Sequence, residues 1–382
     1  MRIVYFSNSH LPSTQANSIH VMNMASALGA IGHEVDLYAL RGDPQPPENS
    51  DRPPHEKITA HYGVENCFDI RFYRQPPVFG RSTVGAVDAI IRQHLAKVDL
   101  VIGRDAKTCA LAALTGLPVL FETHQPIAHY PPVDRFLLRR ALARRAFRGV
   151  VTISQPLQDI LCDETGAGRH YVLVAHDAAA DPPTLPEKIR KNERPIIGYT
   201  GHLYAGRGIE VIVELANRMP QADFLIMGGA EADVAAWQSR TDSLANIQFT
   251  GFLAPSSAAL SRLQCDVLLA PYQANTSIPG GAQTAKWMSP LKIFEYMASG
   301  VPFVCSDLPV LHEILEDRRN CLFVDPTDVD AWERAITSLL SDTAAAATIA
   351  RVASEDFREH YTWRARARRL VEFATAPETQ PT

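Results

Sequence analysis

Short apolar runs alternate with helical patterns along most of the chain. In the first forty residues, an apolar strand is predicted over residues 2–8, and a helix follows with Ile19, Met22 and Ala25 on one face. A second strand is predicted over residues 35–40. The stretch therefore predicts a β-α-β unit.

Eleven further strands are predicted from the same pattern. Their apolar residues show little polar alternation, which is typical of parallel strands covered on both faces. They lie at residues 69–73, 100–103, 119–122, 150–153, 172–175, 196–200, 224–227, 247–250, 267–270, 303–305 and 322–324. Two successive doubly wound α/β domains follow from this alternation, with a ligand expected at the carboxyl ends of the strands, in the cleft between the domains.

Polar, proline-rich sequence separates the two halves. From Asp177 to Pro195 the chain has the composition of an interdomain linker. The predicted boundaries are a first domain at residues 1–178, a linker at 179–195, a second domain at 196–357, a C-terminal helix at 358–376 and a frayed tail at 377–382.

Composition and charge exclude several classes of protein. The chain has 382 residues, 46% hydrophobic and 21% charged, as expected of globular domains with ample core. Its net charge of -5 argues against nucleic acid as a partner. Six cysteines without C-x-x-C spacing indicate buried thiols in a reducing compartment rather than a disulfide framework or a zinc site. Neither a signal peptide nor an apolar run long enough to span a bilayer is evident, so we expect a cytoplasmic protein.

The segment SPLKIFEYMASG carries the first candidate site. Ser289 is predicted as the N-cap of a helix, Pro290 as its first residue and Gly300 as its end. Lys292 then lies in the first turn, where free N–H groups already carry partial positive charge, so the pattern suits a phosphate bound by the helix start and the ammonium together. Glu295, about a turn further on, suits a ribose diol. An amphipathic surface helix with a Lys-Glu pair is the alternative.

A glycine-rich turn, YTGHLYAGRG, follows the first strand of the second domain. Gly201 and Gly206 would let the backbone approach an anion closely, and Arg207 adds a cationic fork suited to phosphate. Arg207 and Gly208 stand where a P-loop requires Lys and Ser or Thr, so a P-loop ATPase is disfavoured. A tight turn that binds no nucleotide is the alternative.

Two other polar clusters are weaker candidates. Asp328 and Asp330 have the Asp-x-Asp spacing of a metal-binding pair, but acidic residues are expected in the first turn of the helix that they open, and no metal site is predicted. Glu122, Thr123 and His124 end a buried strand, where α/β sheets bind ligands and where a histidine can share a proton near neutrality. A hydrogen-bonded structural histidine is the alternative.

Taken together, these segments resemble the family-4 retaining glycosyltransferases, which have the GT-B fold. The resemblance covers nearly the whole chain through ANSIHVMNMASALGAIGHEV, FETHQP, VVTISQPLQDIL, YTGHLYAGRGIE, FLIMGG, NIQFTGF, SPLKIFEYMASGVPFVCSDLPVLHEIL and NCLFVDP, in the family's order. It implies an α/β protein with two doubly wound Rossmann-like domains facing across a cleft, and a C-terminal helix that crosses back to the first domain.

The resemblance also implies roles for individual residues. His124, Arg207 and Lys292 form the catalytic group, in which the two cations clasp the donor diphosphate. Donor contacts are implied for Gly201, His202, Gly251, Phe252, Ser289, Pro290, Leu291 and Glu295. Gly280 and Gly281 are candidates for backbone contacts to the donor sugar, and Asn17 and His20 are placed on the acceptor side.

Two positions depart from the family pattern. Trp287 occupies the position where many members have a glutamate that contacts the donor sugar. His202 replaces the usual arginine of the glycine-rich turn. Both departures affect the residues that would recognise the donor.

The implied reaction is transfer of a sugar from a nucleoside-diphosphate sugar to an acceptor hydroxyl, with retained anomeric configuration and without a metal or other cofactor. The acceptor would be a carbohydrate or a lipid-linked molecule in cell-surface glycan or glycolipid synthesis. Two alternatives stay open: a sugar-nucleotide 2-epimerase of the same fold, and a non-catalytic nucleotide-sugar-binding protein.

The arginine-rich stretch at residues 135–148, RFLLRRALARRAFR, contains six arginines and no acidic residue. On an ideal helix Arg140, Arg144 and Arg148 share a face, which would suit peripheral docking on the anionic inner face of a membrane. A solvated face or intramolecular ion pairs are at least as compatible with the pattern.

Overall fold

The computed structural model describes residues 1–42, 54–74, 81–183, 194–275 and 284–376. The chain divides into two compact units, called here unit 1 (Met1–Asp177 with Trp363–Thr382) and unit 2 (Ala178–Thr362). Gly280, Gly281, the predicted tail and residues 184–193 of the predicted linker lie outside the described residues.

Unit 1 is built on a parallel sheet. Its described strands are β1 (Arg2–Leu11), β2 (Glu34–Arg41), β3 (Asp69–Phe72), β4 (Leu100–Gly103), β5 (Val119–Thr123), β6 (Phe147–Thr152) and β7 (Val172–Val174), in the spatial order β3-β2-β1-β4-β5-β6-β7. Its helices are α1 (Ala16–Ala30), α2 (Pro54–Tyr62), α3 (Arg81–Ala96), α4 (Ala106–Leu114), α5 (Pro132–Leu142), α6 (Gln155–Thr165) and, from the end of the chain, α13 (Trp363–Thr375). Helix α13 packs against α1.

Unit 2 repeats this plan with a second parallel sheet. Its described strands are β8 (Ile196–Thr200), β9 (Asp223–Met227), β10 (Ile247–Gly251), β11 (Val267–Ala270), β12 (Phe303–Ser306) and β13 (Leu322–Val324), in the order β10-β9-β8-β11-β12-β13. Its helices are α7 (Ile209–Arg218), α8 (Glu231–Arg240), α9 (Pro255–Arg262), α10 (Leu291–Ser299), α11 (Val329–Ser341) and α12 (Thr343–His360). Short 3-10 turns at Ile127–His129 and Arg169–Tyr171 belong to unit 1, and one at Pro309–Glu313 belongs to unit 2.

In both sheets the strand order reverses beside the first strand, between β1 and β4 in unit 1 and between β8 and β11 in unit 2. Connections on the two sides of such a reversal diverge, which leaves a crevice at the carboxyl ends of the strands. All thirteen predicted strands are present, and their ends differ from the predicted ones by three residues or fewer. The predicted fold class, two doubly wound Rossmann-like domains, is confirmed.

The helix that carries Lys292 begins one residue later than predicted. Helix α10 starts at Leu291, and Pro290 rather than Ser289 takes the N-cap position, with no side-chain hydrogen bond to the first turn. The predicted end is right, since Gly300 adopts the left-handed conformation that stops the helix. Lys292 therefore lies in a first turn whose N–H groups receive no side-chain cap.

Two other predicted helices also differ. Helix α12 continues to His360, so the last helix starts at Trp363 rather than at residue 358. The arginine-rich stretch is not one helix, because α5 ends at Leu142 and Arg148 lies in β6. The three arginines expected on one helical face consequently do not share one.

Gly208 has the shortest Cβ contact among the unit 2 glycines whose surroundings the structure describes. It forms the N-cap of α7 with φ 76°, and a Cβ there would lie 1.9 Å from the carbonyl oxygen of Pro271. Gly300 has a similar φ of 65°, but a Cβ there would meet nothing within 4 Å.

We expect Gly300→Ala to lower the free energy of unfolding by about 1–2 kcal/mol, the cost of a left-handed alanine. Gly208→Ala should cost about 1–3 kcal/mol more, because its methyl group displaces the β11 connection. Urea unfolding of the two variants measures the difference, and equal losses would contradict the predicted steric conflict.

Candidate active site

Lys292 is a buried cation at the carboxyl end of the unit 2 sheet. It is 8% exposed, and its Nζ lies 3.7 Å from the ring centroid of Tyr199 and 4.8 Å from that of Tyr272. Nζ has no hydrogen-bond partner among the described residues. A Cβ on Gly201 would lie 2.9 Å from Nζ, so the glycine leaves room for the ammonium beside the turn. Burial, and then the charge of Arg207, lower the pKa of Lys292 well below its usual value.

Arg207 is the second cation of this site. It stands in the glycine-rich turn before α7, and its guanidinium carbon lies 4.9 Å from the ring centroid of Tyr204 and 5.5 Å from that of Tyr272. Its Nη2 donates to the Tyr204 hydroxyl at 3.1 Å, while its buried Nε has no partner within the described ranges. Neither Arg207 nor Lys292 forms an ion pair with a carboxylate of the part of the chain that the structure describes.

These two cations leave a local excess of positive charge. Aromatic faces stabilise each cation by about 0.5–2 kcal/mol, less than the several kcal/mol that desolvation of an ion costs. The first turns of α7 and α10 add N–H groups without side-chain caps. An anion with several charged oxygens, such as a diphosphate, is the ligand that this arrangement suits.

Glu295 lies one helical turn after Lys292 and already has a partner. Its Oε2 is 3.2 Å from Nη1 of Arg262, a residue of α9 that is only 7% exposed. The Glu295 side chain itself is 28% exposed, so the carboxylate is accessible while one of its oxygens is held.

The remaining predicted donor contacts surround the same sheet edge. The ring of His202 stacks on Tyr204 at 5.1 Å, and burial together with Arg207 and Lys292 lowers the pKa of His202. Gly251 accepts a hydrogen bond from the N–H of Gly228 at 2.8 Å. A Cβ on Gly228 would lie 2.5 Å from the carbonyl oxygen of Gly201, so these turns are in contact.

Three further predicted positions differ in exposure. Phe252 is 47% exposed, as a surface for a base would require. Ser289 is buried just before α10, and Trp287 is buried as well. Trp287 therefore does not project into solvent at the position where a glutamate was expected.

Glu122 is the centre of a buried charge network in unit 1. It lies one residue before the end of β5 with no exposed surface. Its Oε1 lies 2.6 Å from Nε2 of His124, 2.9 Å from Nε2 of His20 and 3.1 Å from Nη2 of Arg366. The hydroxyl of Tyr5 lies 3.5 Å from the other oxygen. Burial alone would raise the pKa of Glu122, but Arg366 and His20 outweigh it and hold that pKa well below the usual range.

His124 is neutral in this setting. Burial, and then the charge of Arg104, lower its pKa to about 4, although Glu122 acts in the opposite direction. A neutral imidazole has one donor and one acceptor nitrogen, and the carboxylate of Glu122 requires the proton on Nε2. Nδ1 of His124 is consequently left as an acceptor, suited to a hydroxyl donor.

The predicted acceptor-side residues have different environments. His20 is 1% exposed, and its Nδ1 is hydrogen-bonded to Asp177 at 2.8 Å. Its Nε2 lies 2.9 Å from Oε1 of Glu122 but has no hydrogen-bond partner among the described residues. Asn17 is half-buried, and its Oδ1 has no hydrogen-bond partner in the described residues.

Two groups of described residues have the residue types or spacing of metal ligands. Asp328 caps α11 by accepting from the N–H of Ala331 at 2.8 Å, and Asp330 pairs with Arg218, so this pair has structural roles. The ligand atoms of His20, Glu122 and His124 lie within 4.8 Å of one another, as a metal ion would need. The guanidinium of Arg366 already balances the charge of Glu122, which disfavours a second cation there.

Two family models match the chain, one within each unit. Residues 194–342 match the family described as Glycosyl transferases group 1, and residues 18–177 match Glycosyltransferase Family 4. The chain belongs to the family-4 glycosyltransferases of the GT-B type.

Individual relatives of this glycosyltransferase are distant. HepE from Anabaena, solved with UDP and with UDP-glucose, has TM-scores of 0.72 and 0.70 at 16% and 15% identity, over 97% of this chain and 99% of HepE. A glycosyltransferase from Rickettsia africae has a TM-score of 0.73 at 14% identity, over 98% of this chain and 97% of that one.

A curated relative from Mycolicibacterium smegmatis is named GDP-mannose-dependent alpha-(1-6)-phosphatidylinositol monomannoside mannosyltransferase. It is 24% identical over 203 residues, which are 51% of this chain and 52% of the relative. The matched part of this glycosyltransferase therefore spans about half the length of that relative.

Several site residues were missed in the sequence. Tyr199 belongs to the quoted glycine-rich segment, but nothing in its spacing shows that its ring lies under Lys292. Arg262 and Arg366 lie far along the chain from Glu295 and Glu122, and no local pattern pairs them. Buried polar partners of this kind appear only when the sheet brings distant elements together.

Arg366 should be essential for the stability of unit 1. Removing it leaves Glu122 buried with less compensation, so we expect Arg366→Met to lower the free energy of unfolding by about 3–5 kcal/mol. Arg364→Met is the matched control, because Arg364 on the same helix pairs with Glu65 at the surface and should cost about 0–1 kcal/mol. Similar losses in the two variants, measured by urea unfolding, would refute the importance of the buried network.

Proposed function

We propose that this protein is a retaining glycosyltransferase that moves a sugar from a nucleoside-diphosphate sugar to an acceptor hydroxyl. The observation that carries the proposal is the pair of enclosed cations, Lys292 and Arg207, which form no ion pair with a described carboxylate. A leaving diphosphate supplies the missing negative charge. The structures of HepE contain UDP and UDP-glucose, and the curated relative is named as GDP-mannose-dependent. UDP and GDP are therefore the first nucleotides to test.

In the proposed reaction, the bond between the anomeric carbon and the diphosphate oxygen breaks while the acceptor oxygen bonds to that carbon on the same face. The leaving phosphate takes the acceptor's proton. Negative charge grows on the diphosphate in the transition state, so Lys292, Arg207 and the first turn of α10 stabilise it where it develops. These groups need no divalent metal to do so.

The other site residues orient the donor in this proposal. Glu295 accepts hydrogen bonds from the ribose hydroxyls, and the segment at Gly251 and Phe252 lies against the base. In unit 1, Nδ1 of His124 accepts a hydrogen bond from a sugar hydroxyl. The acceptor is a carbohydrate or a lipid-linked molecule, and cell-surface glycan or glycolipid synthesis is the expected pathway.

The assay is a panel of UDP- and GDP-sugars, scored first by thermal shift and then by release of nucleoside diphosphate with glycan and lipid acceptors. We expect release only with an acceptor present, at a rate unchanged by EDTA, and an α-linked product from an α-linked donor. Conversion of the donor without acceptor would indicate the epimerase instead. Binding without release under every acceptor would indicate a non-catalytic binding protein.

Lys292→Ala and Arg207→Ala should each lower turnover by roughly a hundredfold or more, as loss of one transition-state contact does. Arg334→Ala is the control, because Arg334 is 70% exposed and has only a 3.8 Å contact with Asp328. Near-wild-type turnover in either site variant would eliminate the proposed role of the cations.

Peripheral membrane docking is a further part of the proposal, in a corrected form. None of the helices in the described ranges is long and apolar enough to cross a bilayer. Two apolar residues of helix α5 face solvent, since Val133 is 63% exposed and Phe136 is 58% exposed. The guanidinium carbon of Arg140 lies 5.3 Å from the centroid of the Phe136 ring. Arg139, Arg140, Arg144 and Arg145 are exposed, whereas Arg148 is half-buried in β6. Anionic headgroups complement this combination of apolar and basic side chains.

Replacing Arg139, Arg140 and Arg144 with Gln should weaken binding to liposomes that contain phosphatidylglycerol by roughly a hundredfold at low salt, since each basic residue contributes about 1 kcal/mol. The control replaces the exposed Arg334, Arg351 and Arg358 of unit 2 and keeps the same net charge. Equal weakening in a sedimentation assay would mean that net charge, rather than the α5 surface, causes the binding.

A further inference from the structure

Arg262 is a buried arginine that the proposed reaction does not use. It ends α9, is 7% exposed, and places Nη1 3.2 Å from Oε2 of Glu295. Its Nε is buried without a hydrogen-bond partner among the described residues. Burying a guanidinium carries a desolvation cost, which only a paired charge such as the Glu295 carboxylate offsets.

Glu295 is held at one oxygen only. No other described residue is hydrogen-bonded or ion-paired to its carboxylate, and the side chain is 28% exposed. An ionised carboxylate can only accept hydrogen bonds, so the ligand that it meets must donate them. A vicinal diol has this chemistry, and a diphosphate does not.

We propose that Arg262 is a positioning residue that holds Glu295 for a ribose diol and thereby makes the site prefer ribonucleotides to deoxyribonucleotides. The inference rests on the proposed function, which supplies the nucleoside-diphosphate ligand. It adds a residue from another helix whose contribution reaches the nucleotide only through Glu295.

Restriction of the Glu295 side chain supports this role. The contact to Nη1 limits the rotamers of Glu295 before the nucleotide arrives, so less conformational entropy is lost when the carboxylate binds the ribose hydroxyls.

The test compares the dissociation constants of UDP with dUDP, and of GDP with dGDP, by calorimetry. We expect the wild-type protein to prefer the ribonucleotide by about tenfold to a hundredfold, as for a hydrogen bond to a charged group. Arg262→Met should reduce this preference to less than about threefold, with little change in the affinity for the deoxy form. Arg218→Met, at an exposed ion pair of α7, should leave the preference intact.

Glu295→Gln completes a double-mutant cycle with Arg262→Met. It should abolish the preference by itself, and adding Arg262→Met to it should then have no further effect on the preference. If Arg262→Met does not fold, Arg262→Lys, which keeps the charge but loses the fork, should give an intermediate preference in the same cycle.

The outcomes separate the two proposals. Binding of neither UDP nor GDP to the wild-type protein would overturn the proposed function together with this inference. Normal wild-type binding, but equal weakening of ribo and deoxy forms by the Arg262 variants, would show a merely structural arginine and overturn the inference alone.

Discussion

The ammonium of Lys292 lies against the rings of Tyr199 and Tyr272 and has no acceptor among the described residues. Several neighbouring contacts of unit 2 accommodate it in this position. Gly201 provides the room that the ammonium needs beside the turn. The hydroxyl of Tyr296 accepts from the N–H of Thr200 and donates to the carbonyl of Leu269, which ties the ends of β8 and β11 together. The amino group of Lys292 is thus enclosed without an anionic partner among the described residues.

Burial of a basic side chain without a paired carboxylate is characteristic of a binding site rather than of a structural ion pair. Relaxation of the side chain into solvent would remove the desolvation cost, but α10 and the tyrosines prevent it. The rest of the unit 2 core must therefore offset this cost in the absence of ligand. A bound anion would return part of it, so ligand binding and stability of unit 2 are linked.

Unit 1 buries a carboxylate, whereas unit 2 buries a basic side chain. Its buried carboxylate, Glu122, is surrounded by Arg366, His20 and His124, and the charge is compensated within the unit. A buried charge network of this kind restricts side-chain positions and tautomers. Its consequence for function is indirect: the proton on Nε2 of His124 is committed to Glu122, and only the acceptor nitrogen remains available.

The sequence by itself determined the two α/β units, their thirteen strands and most of the candidate contacts, because apolar runs, glycine-rich turns and helix boundaries are local properties of the chain. It also placed Lys292 in a first helical turn, although the cap was misassigned by one residue, since Ser and Pro both suit that boundary. Only the tertiary structure decided that Arg262 faces Glu295, that Arg366 faces Glu122 and that His20 is buried rather than accessible. These pairings join residues that are distant along the chain, and their energies depend on burial, which no local pattern of residue types encodes.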